Sequence, residues 1–235
     1  MSQRDLIALA ISYVCAFGLL LGAEAIRKWR DWPQDFTRKM VHVGAGLWVW
    51  GQLALFEHWT IGLIPFASFI GLNYLFYRRQ VFQAVDSASS SPGTVYFALS
   101  ITLLNLLFWR TGGALDWAPV ATAGIMAMTL GDAAASIVGR RWGRAGYTVF
   151  GAHRTWVGSA AMAVFSLVGI AFTLLVLPGS PLSPSSVPLG VPRALGYAVV
   201  GAAIATVAEA LSPAGTDNLS VPLATGLTLY LLEII

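Results

Sequence analysis

Charge is scarce in this chain. Of 235 residues only 11% are Asp, Glu, Lys or Arg, against about a quarter in an ordinary soluble domain. Cysteine is scarcer still, with Cys15 alone inside an apolar run. An internal disulfide framework, a cysteine-based zinc site and a Cys-x-x-Cys redox motif are therefore excluded. No polar stretch is long enough to form a sizeable soluble domain, no internal repeat is visible, and the GxxxxGK[ST] spacing of a soluble phosphate-binding loop is absent. The net charge of +3 is no argument for nucleic acid, because the cations sort by position along the chain.

What the chain has in abundance is apolar sequence, 57% of residues, with a mean hydropathy of +0.70. The apolar runs are Leu6–Ala25, Met40–Phe56, Ile61–Tyr77, Thr94–Trp109, Trp117–Val138, Val157–Leu177, Ala194–Leu211 and Leu219–Ile235. Most are long enough to cross a bilayer as helices, or nearly so. Ala23-Glu24-Ala25 resembles a signal-peptidase site, but one cation before the first run and five soon after it favour a retained span. Eleven of the fourteen cations follow the first, third and fifth runs: Arg27, Lys28, Arg30, Arg38, Lys39, Arg78, Arg79, Arg140, Arg141, Arg144 and Arg154. Arg4, Arg110 and Arg193 are left for the other side. This alternation predicts one all-α domain over residues 1–235, a polytopic membrane helical bundle of about eight transmembrane helices with the N-terminus outside. The uncharged Pro178–Pro192 is expected to be an outer loop without a function of its own, and Asp86–Thr94 a polar inner loop.

On this topology four polar clusters share the cytoplasmic face. The first is Arg38-Lys39-Met40-Val41-His42, where Arg38 and His42 fall on one helical face. A positive-inside anchor accounts for the nearby cations, whereas His42 lies a turn inside the apolar run, as a satisfied structural histidine or as a phosphate or base contact. The second runs from Gly131-Asp132 to Gly143. Gly131, Ala135, Gly139 and Gly143 recur every fourth residue, a seam for close helix packing. Asp132 and Ser136 form the neighbouring stripe, with Arg140 beyond. An acid at membrane depth costs about 2.5–3.5 kcal/mol on insertion scales. An Asp132–Arg140 bridge would have to span two turns, so Asp132 needs another partner, and a hard cation suits it.

The third cluster is Gly151 to Ser159, with His153, Arg154, Thr155 and Ser159 beside a helix start. It offers either an anion site or a loop with an amphipathic anchor. The fourth is Glu209–Pro222, EALSPAGTDNLSVP, in which Pro213 and Gly215 break the helix. It is either a simple turn capped by Asp217 or Asn218, or irregular backbone lining a cavity. Asp132, Glu209 and Asp217 on one face beside Lys39, Arg140 and Arg154 suit Mg²⁺ with a triphosphate.

RKMVHVG, GDAAASIVGRRWG, FGAHRTWVGSAAM and EALSPAGTDNLSVPL together resemble the phytol kinase branch of the polyprenol kinase family, from about Arg38 to the C-terminus. That family includes farnesol and dolichol kinases and is distantly related to phosphatidate cytidylyltransferases. The resemblance implies Mg²⁺-dependent transfer of a phosphoryl group from CTP to a membrane lipid alcohol, phytol or another isoprenoid alcohol. The expected catalytic residues are Asp132, Lys39 and Arg154. Arg38, His42, Arg140, Thr155 and Ser159 are expected at the nucleotide, and Asp132, Asp217, Glu209 and Asn218 at the metal. The chain departs from the family pattern in having Arg154 for a lysine and Val157 for a glutamate, which changes the geometry of one cation and removes one carboxylate. The competing functions are a CTP:phosphatidate cytidylyltransferase and, in another class, an inactive lipid-binding scaffold or a transporter. The expected partners are the lipid alcohol, CTP and the bilayer, with a homodimer left open and no nucleic acid. The expected location is a bacterial inner (plasma) membrane, with the site facing the cytoplasm.

Overall fold

A computed structural model describes residues 1–86, 91–110, 115–213 and 215–234. Residues 87–90 of the expected loop Asp86–Thr94, Ala214 of the fourth cluster and Ile235 of the expected last span lie outside the described residues. The described residues form eight helices: α1 (Gln3–Arg30), α2 (Gln34–Leu55), α3 (Trp59–Arg79), α4 (Gly93–Phe108), α5 (Ala118–Trp142), α6 (Trp156–Val176), α7 (Val191–Leu211) and α8 (Asp217–Ile234). Among the described residues α1, α3, α5, α6 and α7 are long and apolar enough to cross a membrane, while α4 is apolar but shorter, at 16 residues. This is an all-α membrane bundle. It carries one element that the sequence does not announce. Between α5 and α6, where a basic loop was expected, an antiparallel hairpin joins β1 (Gly146–Val149) to β2 (Ala152–Thr155), with Tyr147 opposite Arg154. Its turn uses positive φ at Phe150 (47°) and Gly151 (78°).

The bundle is built around α5. In the most apolar window of α5 78% of residues are buried, against 22% in α1 and α3. The first nine residues, Ala118–Met126, are buried on every side. Small side chains make this possible by letting neighbouring helices approach closely. A Cβ on Gly124 would sit 2.6 Å from the Pro222 carbonyl of α8. The expected four-residue seam is also present: Gly131 faces Met162 and Ser166 of α6, while Gly139 and Gly143 face Thr155 at its start.

The end of the bundle that carries the N-terminus is tied by two buried acids. Asp5 accepts the backbone N–H groups of Glu57 (3.0 Å) and His58 (3.2 Å), fastening the α2–α3 connection to α1. Asp116 accepts from the Arg110 and Ala118 N–H groups and, at 2.8 Å, from the Ser183 hydroxyl. The Pro178–Pro192 segment thus has an anchoring point in the fold. The four polar clusters gather at the opposite end.

Candidate active site

Asp132 closes a π-helical stretch of α5, Ala127–Asp132. One extra residue per turn at this point shifts the register of the helix, and π-bulges are frequent at functional sites for that reason. The Asp132 carboxylate is buried and meets α2. Lys39 Nζ lies 2.5 Å from its Oδ2, and His42 Nε2 lies 3.6 Å from the same oxygen. Lys39 and His42, three residues apart, share the helical face that looks at α5. His42 Nε2 donates to the Met128 carbonyl at 3.3 Å, which places the ring proton on that nitrogen, and the ring packs on Phe97 at 4.8 Å between centroids.

The hairpin delivers the second cation. Arg154 on β2 points into the bundle, where its Nε is 2.8 Å from Glu209 Oε1, with the N–H not aimed at the oxygen. Its Nη2 donates to Asp217 Oδ2 at 3.1 Å and reaches the Glu209 and Ser212 carbonyls at 3.4 and 3.3 Å. Both acids are buried and come from either side of the α7–α8 break, in which Gly215 holds φ +85°. Asp217 Oδ1 accepts the Asn218 N–H at 2.9 Å. Pro222 has no N–H to offer, so the Asn218 carbonyl lacks its usual helical donor four residues on.

Lys39, Asp132, Arg154, Glu209, Asp217 and Asn218 line a cavity of about 350 Å³, together with Arg38, Ser136, Arg140, Thr155 and Ser159. Arg140 sits at its exposed edge, paired with Asp35 and donating to Ser136 Oγ at 2.7 Å. Thr155 caps α6 by accepting the Gly158 N–H, and Ser159 shares a 2.7 Å hydrogen bond with the Tyr147 hydroxyl. Of the sequence-predicted residues, all but His42 line this cavity. His42 lines a second space instead, an apolar groove of about 100 Å³ between α1, α2, α3 and α4. Cavity and groove meet at Arg38, Lys39 and Asn218. Val157, the departure from the family pattern, is 37% exposed and does not line the cavity.

Two residues escaped the sequence argument. Asp35, at the cavity edge, precedes the first cluster and looked like part of an ordinary loop. Asp86 is buried beside Arg38, accepts a 3.4 Å hydrogen bond from Thr94 Oγ1 and leaves Oδ1 without a partner. Burial pushes its carboxyl above the usual range, and Arg38 pulls the other way. Its acid charge at the head of a polar stretch was the available signal.

The donor set fits a hard cation. Glu209 Oε2 and Asn218 Oδ1 are buried without a hydrogen-bond partner, and an orphaned buried oxygen is costly unless something else approaches it. Asp132, Glu209 and Asp217 do not form a ready three-ligand cluster; among the described residues that description belongs to Asp5, Glu57 and His58 at the far end. Mg²⁺ does not need a protein cage, since it is commonly held by one or two carboxylates plus substrate phosphates and water.

The chain is 33% identical to the phytol kinase of Synechocystis sp. over 238 residues, covering 94% of this chain and 88% of that protein. It is 30% identical to the probable phytol kinase, chloroplastic, of Triticum aestivum, covering 92% and 74%. It is 28% identical to the probable phytol kinase 1, chloroplastic, of Oryza sativa subsp. japonica, covering 97% and 74%. No family model and no solved structure matches the chain.

Proposed function

The chain belongs to the phytol kinase family, and from that premise we propose that it transfers the terminal phosphoryl group of CTP to phytol or a closely similar isoprenoid alcohol, with Mg²⁺, at the cytoplasmic face of the membrane. The observation that carries this reading is the junction of a charged cavity with an apolar groove at Arg38, Lys39 and Asn218. A nucleotide triphosphate and a lipid alcohol need those two environments within one bond length of each other.

The cavity stores its charges as two exchangeable pairs, Lys39–Asp132 and Arg154–Glu209/Asp217. The triphosphate would take the cations from both pairs, leaving Glu209 and Asp217 to face a metal ion and Asp132 free to act as a base. Lys39, Arg154 and Arg38 then neutralise the phosphate oxygens, the main catalytic requirement of phosphoryl transfer. Asp217, Asn218 and Glu209 would hold Mg²⁺, which supplies further charge neutralisation at the transferring group. The alcohol enters along the groove, with its hydroxyl beside Lys39 and His42. Its oxygen attacks the terminal phosphorus, the bond from that phosphorus to the bridging oxygen breaks, CDP leaves, and the hydroxyl proton passes to Asp132. The imidazole of His42, its Nε2–H held by the Met128 carbonyl, packs beside the Asp132 carboxylate from the groove side, a role that differs from the nucleotide contact suggested by its sequence position. Val157, outside the cavity lining, leaves this constellation intact.

The test uses purified protein in detergent with Mg²⁺, CTP or ATP labelled at the γ-phosphate, and a panel of lipid alcohols plus phosphatidate. Label on phytol from CTP, abolished by chelation of the metal, is the expected result. Pyrophosphate release with consumption of phosphatidate would move the chain to the cytidylyltransferases, and no label on any alcohol would end the kinase reading.

A further inference from the structure

The groove is built with a direction. Along α2, Arg38, His42, Ala45 and Trp48 fall on one helical stripe that changes from charged to apolar. On α1, Ser12, Cys15 and Leu19 form the facing stripe. Phe66 and Phe69 of α3 and Phe97 of α4 complete the walls. At the polar end the groove opens on Lys39 and His42. At the other end Trp48 Nε1 donates to Ser12 Oγ at 3.3 Å, and Ser12 Oγ in turn donates to the Ala8 carbonyl at 2.8 Å. The hydrogen bond satisfies the indole N–H and holds Trp48 at that end of the groove lining. Nine residues separate Lys39 from Trp48, about 13 Å along a helix.

We propose that this groove is the tail site of the lipid alcohol, that it admits one apolar chain rather than two, and that Trp48, held by Ser12, is the wall at which the enclosed part of that chain, roughly its first ten carbons (about 13 Å), ends and the remainder turns out toward the bilayer. The inference rests on the kinase reading, since the occupant is the tail of the alcohol whose hydroxyl reaches Lys39. Three features identify that occupant: the narrow bore, the continuity with the charged cavity, and walls that α1 completes over α2, α3 and α4. A diacyl lipid would have to leave one chain outside. Ala45, midway along the stripe, has the smallest side chain among the α2 wall residues and sets the bore.

Cys15 allows occupancy to be read without catalysis. It is the only cysteine in the chain and lines the groove. Its reaction with a small membrane-permeant thiol reagent is followed in the wild-type protein in detergent. Phytol at ten times its Kd is expected to slow labelling about tenfold, as mass action requires, whereas CTP alone and a diacylglycerol leave the rate unchanged. Undiminished labelling in a preparation that phosphorylates phytol would overturn the tail site while leaving the kinase reading in place. Protection by phytol without turnover would support the tail site and remove the kinase reading. Equal protection by diacylglycerol would overturn the single-chain claim. Two variants then examine the bore and that wall. Ala45→Phe is expected to lower kcat/KM for phytol about tenfold relative to a short prenyl alcohol. Trp48→Ala is expected to change by about tenfold the preference between alcohols whose main chain is shorter and longer than about ten carbons. Equal changes for short and long alcohols in both variants would show that these residues only support the fold.

Discussion

Both ends of this bundle bury carboxylates, and they do so by different means. At the N-terminal end, Asp5 receives the N–H groups of Ser2, Glu57 and His58, and Asp116 those of Arg110 and Ala118. Most of their donors belong to the backbone and cannot move without unfolding a turn, and the Ser2 and Ser183 hydroxyls and the His58 ring complete the set. At the other end, Asp132, Glu209 and Asp217 are countered by the side chains of Lys39 and Arg154, and Glu209 keeps one oxygen with no partner. Side-chain cations can exchange one anion for another. A buried acid clamped by backbone is a fastener, whereas one balanced by mobile cations beside an orphaned oxygen is poised for a ligand. One fastener, Asp5, even lies with Glu57 and His58 at the spacing of a metal cluster. Proximity of ligands therefore says less than whether their lone pairs are already in use.

The sharpest way to break this contrast is Asp132→Asn. It keeps the shape and a hydrogen bond to Lys39 but removes the charge. Phytol phosphorylation is expected to fall by about a thousandfold or more, with the protein still inserted and monodisperse on size exclusion. Wild-type turnover in this variant would remove Asp132 from the chemistry. Arg154→Lys should come next. A single ammonium cannot serve Glu209 and Asp217 as the planar fork does, and kcat/KM is expected to drop about tenfold to a hundredfold. An unchanged rate would mean that charge alone matters there.

Asp5→Ala probes the other end. It strips the partner from three backbone N–H groups, and the expected cost is about 1–3 kcal/mol, read as a lower melting temperature. Specific activity of the folded fraction should stay within about twofold. Lost turnover at an unchanged melting temperature would erase the division between fasteners and site. The smallest effect is expected from Val157→Glu. The side chain is partly exposed and outside the cavity lining, so stability should shift by about 0.5 kcal/mol or less, and activity should hold or rise. Severe misfolding would place Val157 against a packed surface.

Much of the site was legible because charge is so expensive in this chain. Asp132 stood out as an acid within an apolar run, and the Pro213/Gly215 break beside Glu209 and Asp217 marked backbone that had to line something. The packing seam from Gly131 to Gly143 was readable from its four-residue period. Other features left weaker traces. Tyr147-Thr148-Val149 and His153-Arg154-Thr155 flank a Phe-Gly turn, a hairpin pattern too short to compete with the basic residues around it. The π segment has no sequence signature at all, yet it precedes the acid on which the site depends. The side of Asp132 taken by His42 was equally hidden, because helical spacing places His42 on a stripe without saying which neighbour that stripe meets.

By itself, then, the sequence determined an all-α membrane bundle, the gathering of its polar clusters at one end and the residue types found there, because hydropathy and the cost of buried charge are properties of each segment alone. Only the tertiary structure decided which cation neutralises which acid, which oxygens are left without partners, and that a charged cavity and an apolar groove share Arg38, Lys39 and Asn218. Those depend on the close approach of helices distant in the chain, and no segment carries that information in its own composition.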